Sequence, residues 1–406
     1  MRSVHRSAPH LTTLILLTAL AVLSLNLFLP SLPEMASEFG VDYSVMNLAV
    51  SGFMLVSAAL QLVLGPLSDR FGRRPVLLGA LGVFTLASVG CAWADDIRVF
   101  LAFRLLQGGI ISGAVLSRAV IRDMAPEQEA VRLIGHVAMV MAVAPMLGPT
   151  LGGALDIAFG WRSGFVALAV VGAALWGLCW VDLGETNVNS SGTFAAQFSA
   201  YPALAGSTVF WAYTICLTFS VGAFYAFLGG GPLVAVGVFD LSPVALGVGM
   251  GSITGGFMVG SFLSGRLSRI CPAIMIMILG RGVACVALVA GLLWCLIVGH
   301  SVLAFFVPVV GVGIGNGLTL PTATAGVMSV NPRLAGSATG LSGALMVAGG
   351  AAFASLAAAA LPPQGSVIVL FVIMLGVSAI GLLAGVVVMR AHPDIGTMAR
   401  CPVKRS

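Results

Sequence analysis

Charge is scarce along this chain. Of its 406 residues, only 8% are charged and 59% are apolar. Soluble domains carry about 25% charged residues, and a water-soluble fold of this size cannot bury so many apolar side chains. The composition therefore excludes a soluble globular protein and indicates a chain that lies in a lipid bilayer.

Motifs for metal binding and catalysis are also missing. The seven cysteines form no CxxC pair and no Cys/His spacing, so the sequence predicts neither a zinc site nor a disulfide framework. It contains no HExxH, no GxSxG and no pair of Asp or His inside an apolar run. We therefore expect no enzyme, no metal and no bound cofactor.

The net charge of +5 does not indicate nucleic-acid binding, because the basic residues are scattered and form no aromatic-rich patch. They are better interpreted as topology signals. With the N-terminus in the cytoplasm, fifteen of the nineteen basic residues fall on the cytoplasmic side, and only Arg98 and Arg162 fall in outer loops. This positive-inside bias predicts an even number of spans and two cytoplasmic termini.

Apolar runs of about 20 residues predict twelve transmembrane helices. The run from Leu11 to Pro33 is too long for the apolar core of a signal peptide, so we expect it to be the first span. The predicted spans are 11–33, 45–67, 76–94, 99–120, 132–155, 161–183, 204–229, 244–266, 273–296, 302–325, 334–360 and 366–389.

A polar stretch between the sixth and seventh runs divides the chain. We predict an all-α integral membrane fold with an N-terminal six-helix half at 1–183 and a C-terminal six-helix half at 204–390. A cytoplasmic linker at 184–203 joins the halves, and a basic cytoplasmic tail follows at 391–406.

A short charged loop, GPLSDRFGRRP from Gly65 to Pro75, joins the second and third spans. Gly72 permits a tight turn, and Asp69 is placed to pair with a cation or a helix N-terminus. A surface pair that forms in one conformation and breaks in another acts as a gate. A basic loop that only sets topology is the alternative, and the ordered pattern disfavours it. The predicted gate residues are Gly65, Asp69, Arg70, Gly72, Arg73 and Arg74.

A degenerate copy of this loop occurs in the second half. LSGRLSR at 263–269 matches LSDRFGR at 67–73 and lies between the eighth and ninth spans. Such a repeat is typical of transporters built from two related halves. In the neighbouring spans, glycines recur at four-residue spacing, as in Gly247, Gly251 and Gly255, which predicts close helix packing.

The fifth span combines proline with glycine in the string APMLGPTLGG. Proline removes backbone donors and bends a helix, and glycine allows close packing, here expected against the other half. Such a helix can seal or rock one side of a transporter, although an ordinary kinked packing helix has the same residues. The conformational residues assigned here are Pro145, Gly148, Pro149, Gly152 and Gly153.

Two arginines lie within predicted spans. Arg104 in the fourth span has Gln107 one turn away, and we favour a functional role in substrate binding or proton coupling over snorkelling to the surface. Arg281 in the ninth span lies nearer the cytoplasmic end, and we expect it to snorkel.

Several strings resemble a known family. GPLSDRFGRRP resembles the signature loop of the major facilitator superfamily, and APMLGPTLGG resembles the motif of its drug/proton antiporters. NLFLPSLP from Asn26, RAVIRD from Arg118 and GWR from Gly160 resemble the Bcr/CflA subgroup of antibiotic exporters. The resemblance implies a twelve-helix monomer in a bacterial-type inner membrane, with a central cavity and export of drug-like molecules driven by proton entry.

One residue departs from the subgroup pattern. Where members usually carry Asp, this chain has Asn26. A buried carboxylate takes up and releases a proton, and an amide does not. The other acids of the first half, Asp156 included, lie at span ends or in loops. Candidates for the cavity lining are Trp211, Tyr213, Phe224, Tyr225, Phe227 and Asn316.

The leading hypothesis is therefore a secondary exporter of small drug-like or amphipathic molecules, powered by the proton gradient. A metabolite facilitator or exporter without proton coupling is the alternative that Asn26 keeps open. A receptor would normally add a soluble output domain, and a membrane-embedded enzyme would need a catalytic constellation; the sequence indicates neither.

Overall fold

The computed structural model describes residues 9–125, 127–187, 201–331 and 334–391, and every regular element within them is a helix. The helices of the first part are α1 (Leu11–Asn26), α2 (Leu32–Glu38), α3 (Tyr43–Met46), α4 (Leu48–Phe71), α5 (Arg73–Trp93), α6 (Ile97–Gln107), α7 (Ile111–Met124), α8 (Glu127–Phe159) and α9 (Arg162–Asp182). Those of the second part are α10 (Tyr201–Ala205), α11 (Thr208–Phe239), α12 (Pro243–Leu267), α13 (Ala273–Ile297), α14 (Val302–Val330), α15 (Ala335–Ala360) and α16 (Val367–Ala391).

The helix lengths fit a bilayer. Eleven helical stretches among the described residues are long and apolar enough to cross a membrane. The helix α8, with 33 residues, lies where the sequence predicts the fifth span. Even α5, with 21 residues, is about 32 Å long at 1.5 Å per residue, which covers a hydrocarbon core of about 30 Å. The predicted all-helical membrane fold is confirmed.

Two predicted spans are interrupted. α1 ends at Asn26, and a 3-10 turn at Leu29–Ser31 leads into α2. Pro30 lies in that turn and lacks the amide hydrogen that a continuous helix needs. A second 3-10 turn, Gly108–Ile110, separates α6 from α7. A prediction from apolar run length misses such interruptions, because run length carries no information about backbone hydrogen bonding.

The seventh span is longer than predicted. α11 continues to Phe239 instead of ending at residue 229, and it passes through three glycines and Pro232. The glycines serve packing, because a side chain at Gly229 would overlap with the carbonyl oxygen of Ala354 in α15. Contact with a neighbouring helix therefore outweighs the low helix propensity of this stretch.

The chain forms two compact units. The first contains residues 1–198 and 240–251, and the second contains 199–239 and 252–406. Most of the predicted linker, at 188–200, and the tail beyond residue 391 lie outside the described residues. The predicted boundaries at 184–203 and 391 stay a prediction.

Glycines bring helices into close contact within each unit. In the first unit, Gly113 of α7 faces the backbone of Leu17 in α1, and Gly152 of α8 faces the backbone of Leu27. In the second unit, Gly313 of α14 faces the carbonyl oxygen of Ile253 in α12. A Cβ at any of these positions would overlap with backbone atoms. The predicted close packing of glycine-containing helices is confirmed at these positions, whereas Gly255 of α12, also expected to pack closely, has nothing within 4 Å of an added Cβ.

Replacing Gly152 with Ala should destabilise the protein, because the added methyl group would overlap with the Leu27 carbonyl group, and backbone cannot rotate away. Overpacking of this kind costs about 1–3 kcal/mol, so the thermal unfolding midpoint in detergent should fall by several degrees. Gly177→Ala in α9 is the matched control, because nothing lies within 4 Å of its added methyl group. Equal midpoints for the two variants would contradict the close approach of α8 to α1.

Candidate functional site

The charged loop between α4 and α5 is a single-residue turn. Gly72 has a φ of +95°, a conformation that glycine adopts without strain, and it separates the last residue of α4 from the first residue of α5. The predicted tight turn at Gly72 is confirmed. Asp69 and Arg73 pair across this turn, with Oδ1 2.6 Å from Nη1. Ser68 accepts a further hydrogen bond from the same arginine.

Arg73 connects this turn to a third helix. Its Nε donates to Oδ2 of Asp123 at the end of α7, over 3.1 Å, and its side chain is only 11% exposed. One guanidinium therefore holds two carboxylates, on α4 and α7. Pairs that are partly buried and hydrogen bonded contribute more than fully exposed ones.

The segment after α9 completes the network, and sequence analysis did not find it. Oε1 of Glu185 accepts from the amide of Arg73 at 2.9 Å, and Oε2 accepts from the amide of Arg74 at 3.2 Å. A carboxylate at this position satisfies free amides of the first turn of α5 and complements the helix dipole. Nδ2 of Asn187 donates to the carbonyl oxygen of Asp69 at 2.7 Å. Both residues fall in the predicted linker, where no local pattern marks them.

The remaining arginines of the loop have separate positions. Arg74 donates through Nη2 to the carbonyl oxygen of Trp180 at 2.8 Å and lies 5.2 Å above its ring. Arg70 is exposed and lies near the ring of Phe71. Gly65 lies in the last turns of α4, where its carbonyl oxygen accepts from Ser68. The loop therefore joins the ends of α4, α5, α7 and α9 at one surface.

The degenerate copy of the loop has the arginines without the network. Arg266 lies in the last turn of α12, 4.7 Å from the ring of Phe262. Within the part of the chain that the structure describes, neither Arg266 nor Arg269 makes an ion pair. The physical reason is that Gly265 stands where the first loop has Asp69.

Asn26 and the fifth-span glycines lie together in the first unit. Nδ2 of Asn26 donates to the carbonyl oxygen of Val22 at 2.8 Å, and the side chain is buried. Gly148 packs directly against it, and a Cβ there would lie 2.9 Å from the Cβ of Asn26. Asn26 thus forms part of the α1–α8 contact.

The fifth-span string was expected to pack against the other half, and for two glycines this is wrong. Gly148 and Gly152 face α1 of their own unit, because the break after Asn26 exposes backbone that only glycine can approach. Gly153 faces the carbonyl oxygen of Pro243 at the start of α12, a segment that belongs to the first unit by its contacts. Pro145 and Pro149 lie inside α8, and the predicted bend stays a prediction.

Arg104 is completely buried and does not reach the surface. Its three nitrogens donate to the carbonyl oxygen of Ala49 at 3.0 Å, to Oε1 of Gln107 at 2.7 Å and to the carbonyl oxygen of Ser24 at 2.9 Å. The guanidinium carbon lies 4.4 Å from the ring centre of Phe28 and 4.1 Å from that of Phe53. The predicted proximity of Gln107 is confirmed, and Arg104 holds α1, α4 and α6 together.

Arg281 was expected to snorkel, and this is wrong. It lies eight residues into α13, about 12 Å along the helix axis, and its side chain is fully buried. It points instead to α14, where Oδ1 of Asn316 accepts from Nη2 at 2.6 Å and Oγ1 of Thr319 accepts from Nε at 3.0 Å. Asn316, predicted as a cavity residue, is thus a partner of Arg281. Tyr225 is partly buried beside Phe224, with ring centres 5.5 Å apart.

Among the described residues, one carboxylate is buried. Asp156 of α8 is 6% exposed, and its Oδ2 accepts from Oγ of Ser31 at 2.5 Å. Its position near a helix end gave no sign of burial in the sequence. No group of three or more metal-ligating side chains was found within the described ranges.

The long apolar helices, the buried polar partners within them and the charged surface loop define a multi-pass α-helical membrane protein. A model of the Major Facilitator Superfamily matches residues 14–355, and the chain belongs to that superfamily. It is therefore a membrane-embedded transporter and not an enzyme. Membership was predicted from the charged loop and is confirmed.

Curated relatives agree with the subgroup resemblance. The chain is 30% identical over 325 residues to a chloramphenicol resistance protein of Pseudomonas aeruginosa, covering 79% of this chain and 76% of the relative. It is 29% identical over 365 residues to multidrug resistance protein D of Escherichia coli, covering 89% and 91%. The names of these relatives support the prediction that the chain is a Bcr/CflA-like member of the drug/proton antiporters of the superfamily.

Solved structures agree on the fold. The chain superposes on a peptide transporter, POT, in complex with sulfate with a TM-score of 0.73 at 13% identity, covering 96% of this chain and 95% of that one. A bacterial homologue of the human lysosomal transporter Spinster gives 0.71 at 17% identity, covering 96% of both chains. At these identities the likeness concerns the fold alone.

Asp69→Asn should abolish transport while leaving the protein in the membrane. The change removes one of the two carboxylates that Arg73 holds and keeps the side-chain shape. Uptake or efflux in membrane vesicles, normalised to protein amount, is the measurement. Asp240→Asn is the matched control, because Asp240 is exposed and has a φ of +49°, which asparagine tolerates. Normal transport by the Asp69 variant would rule out a gating role for the loop.

Proposed function

We propose that this chain exports small drug-like or amphipathic molecules across a bacterial-type inner membrane, as a monomer with both termini in the cytoplasm. Relatives that carry the names chloramphenicol resistance protein and multidrug resistance protein D support the substrate class. The positive-inside distribution of its arginines supports the orientation.

The observation that carries this proposal is the network around Arg73. Ion pairs to Asp69 and Asp123, together with the cap from Glu185, join four helix ends through contacts of 2.6–3.2 Å. Hydrogen bonds need distances in this range and good angles, so a displacement of one of these helix ends relative to the others breaks its contacts with them. In an alternating-access cycle, such a network is complete in one conformation and broken in the other, which separates the two conformations into distinct states.

The proton gradient is the proposed energy source, and Asp156 is the proposed proton carrier. Asn26 has no titratable group. Asp156 is buried, and its carboxylate accepts one side-chain hydrogen bond, from Ser31. Because a buried charge is costly, protonation of this carboxylate changes the free energy of the surrounding structure strongly. It lies on α8, the helix whose Gly148 and Gly152 contact α1. Protonation of Asp156 is therefore positioned to act on the α1–α8 contact.

A second candidate function is a metabolite facilitator or exporter without proton coupling. The observation that favours it is Asn26, whose amide is satisfied by its own helix and packed against Gly148. In that case α1 contributes packing and no proton exchange. The two candidates differ in their response to collapse of the proton gradient.

A drug-susceptibility panel in an efflux-deficient bacterium tests the proposal. Expression of the protein should raise the inhibitory concentration of at least one amphipathic drug several-fold, and a protonophore should remove the accompanying difference in drug accumulation. Cells that carry the empty vector provide the baseline. Export that persists with the protonophore would favour the uncoupled alternative, and no protection against any drug would reject the export function.

The proton carrier is tested by two reciprocal substitutions. Asp156→Asn should flatten the pH dependence of efflux because it removes the buried carboxylate, whereas Asn26→Asp should strengthen it by adding one on the same α1–α8 contact. Efflux rates in everted vesicles between pH 6 and 8 provide the measurement. Asp95→Asn is the control, because that carboxylate is 95% exposed. An unchanged pH profile for the Asp156 variant would refute its role.

A further inference from the structure

The second unit contains a buried cation whose hydrogen bonding is incomplete. Arg281 donates from Nε to Thr319 and from Nη2 to Asn316, and both acceptors are neutral side chains of α14. Its Nη1 is buried and has no hydrogen-bond partner among the described residues. A buried donor without a partner costs about 1–3 kcal/mol, and more when the group is charged.

A second unsatisfied group lies on the neighbouring helix. Ser378 of α16 is fully buried, and its Oγ has no partner within the described residues either. Gly381 follows it by three residues on the same face of α16, and a Cβ at Gly381 would lie 3.4 Å from Cδ of Arg281. Two unsatisfied polar atoms therefore occur where α13, α14 and α16 meet.

The sequence offers no carboxylate to neutralise this cation from its own surroundings. Residues 241–391 contain neither Asp nor Glu. Arginine stays protonated even when buried, so Arg281 cannot avoid its charge by releasing a proton. An isolated charge within a membrane protein is expensive and usually marks a partner or a substrate path.

Arg104 shows that burial alone does not explain Arg281. Arg104 also lacks a carboxylate, but each of its three nitrogens donates a hydrogen bond, and two aromatic rings cover the guanidinium. The protein thus satisfies one buried arginine with carbonyl groups and aromatic faces. It leaves the other with a donor that has no partner among the described residues, and with a hydroxyl on the neighbouring helix that has none either.

We propose that Arg281, Asn316, Thr319 and Ser378 bind the anionic group of a transported molecule, so that the substrates of this protein include amphipathic organic acids. A carboxylate has two oxygens, which match the free Nη1 and the hydroxyl of Ser378. The side chain of Phe219 lies next to Gly381, and its apolar ring suits an apolar substrate body. Since Nη1 is buried in this structure, the anion reaches it only when the helices part, as alternating access requires. This inference rests on the proposed export function.

The experiment compares two ligands that differ in charge and share one shape, 2-naphthoate and 2-naphthamide. Purified full-length protein in detergent and HEPES buffer is titrated with each, and with sodium chloride at equal concentration, while the thermal unfolding midpoint and the Kd are measured. We expect naphthoate to bind and raise the midpoint by stabilising the folded state, and naphthamide to bind at least tenfold more weakly. Chloride should have little effect.

Asn316→Asp is the decisive variant, because it places a carboxylate 2.6 Å from Nη2 without changing the side-chain shape. It should raise the midpoint in the absence of ligand and weaken naphthoate binding at least tenfold. Arg281→Gln should also abolish binding, and if that variant does not fold, the Asp variant still provides the test. Arg390→Gln removes an exposed arginine from the end of α16 and should bind naphthoate normally.

Four results would overturn the proposal. The first is equal binding of naphthoate and naphthamide, and the second is a rise of the unfolding midpoint with chloride alone. The third is unchanged naphthoate binding by Asn316→Asp, and the fourth is an unfolding midpoint that no anion raises. The drug panel separates this inference from the export function. Drug export without naphthoate binding would refute the anion site alone, whereas naphthoate binding without drug export would refute export and leave the site.

Discussion

A bilayer offers its helices no hydrogen-bond partners, and this constraint governs the whole structure. Every polar group that enters the membrane must be satisfied by the chain itself or by a ligand. The chain responds with long helices, which satisfy their own backbone, and with few charged residues. Where helices break, at Leu29–Ser31 and Gly108–Ile110, the exposed backbone is used for contacts. Ser57 donates to the carbonyl oxygen of Gly108, and Gly152 packs against the backbone of Leu27, just before the first break.

The same constraint explains why glycine is so frequent. Lipid tails are as apolar as the side chains, so the hydrophobic effect does not drive helix association within the membrane. Association depends on van der Waals contact, which is greatest when backbones approach closely. Gly280 and Gly315 face each other at the contact between α13 and α14. Their successors in the chain, Arg281 and Asn316, are thereby held within hydrogen-bond distance.

Charge is concentrated at the α4–α5 turn, where water and carboxylates are available. There one arginine, Arg73, pairs with Asp69 and Asp123, and Glu185 caps the following helix. The degenerate copy in the second half keeps arginines and lacks the acid, so it has no equivalent network among the described residues. Two related loops thus carry different interactions, and only the first is equipped to switch between paired and unpaired states.

The membrane class, the order of the spans, the tight turn at Gly72 and the family could all be predicted from the amino-acid sequence. These follow from local properties, namely apolar run length, glycine conformation and an ordered motif. The contacts of Glu185 and Asn187 with the loop, the burial of Asp156 and the inward direction of Arg281 became visible only in the folded structure. Each of these depends on which helix lies opposite, and contacts between distant segments leave no periodicity in a single sequence. The local sequence around an arginine eight residues into a span is the same whether the side chain faces lipid, a partner helix or a ligand.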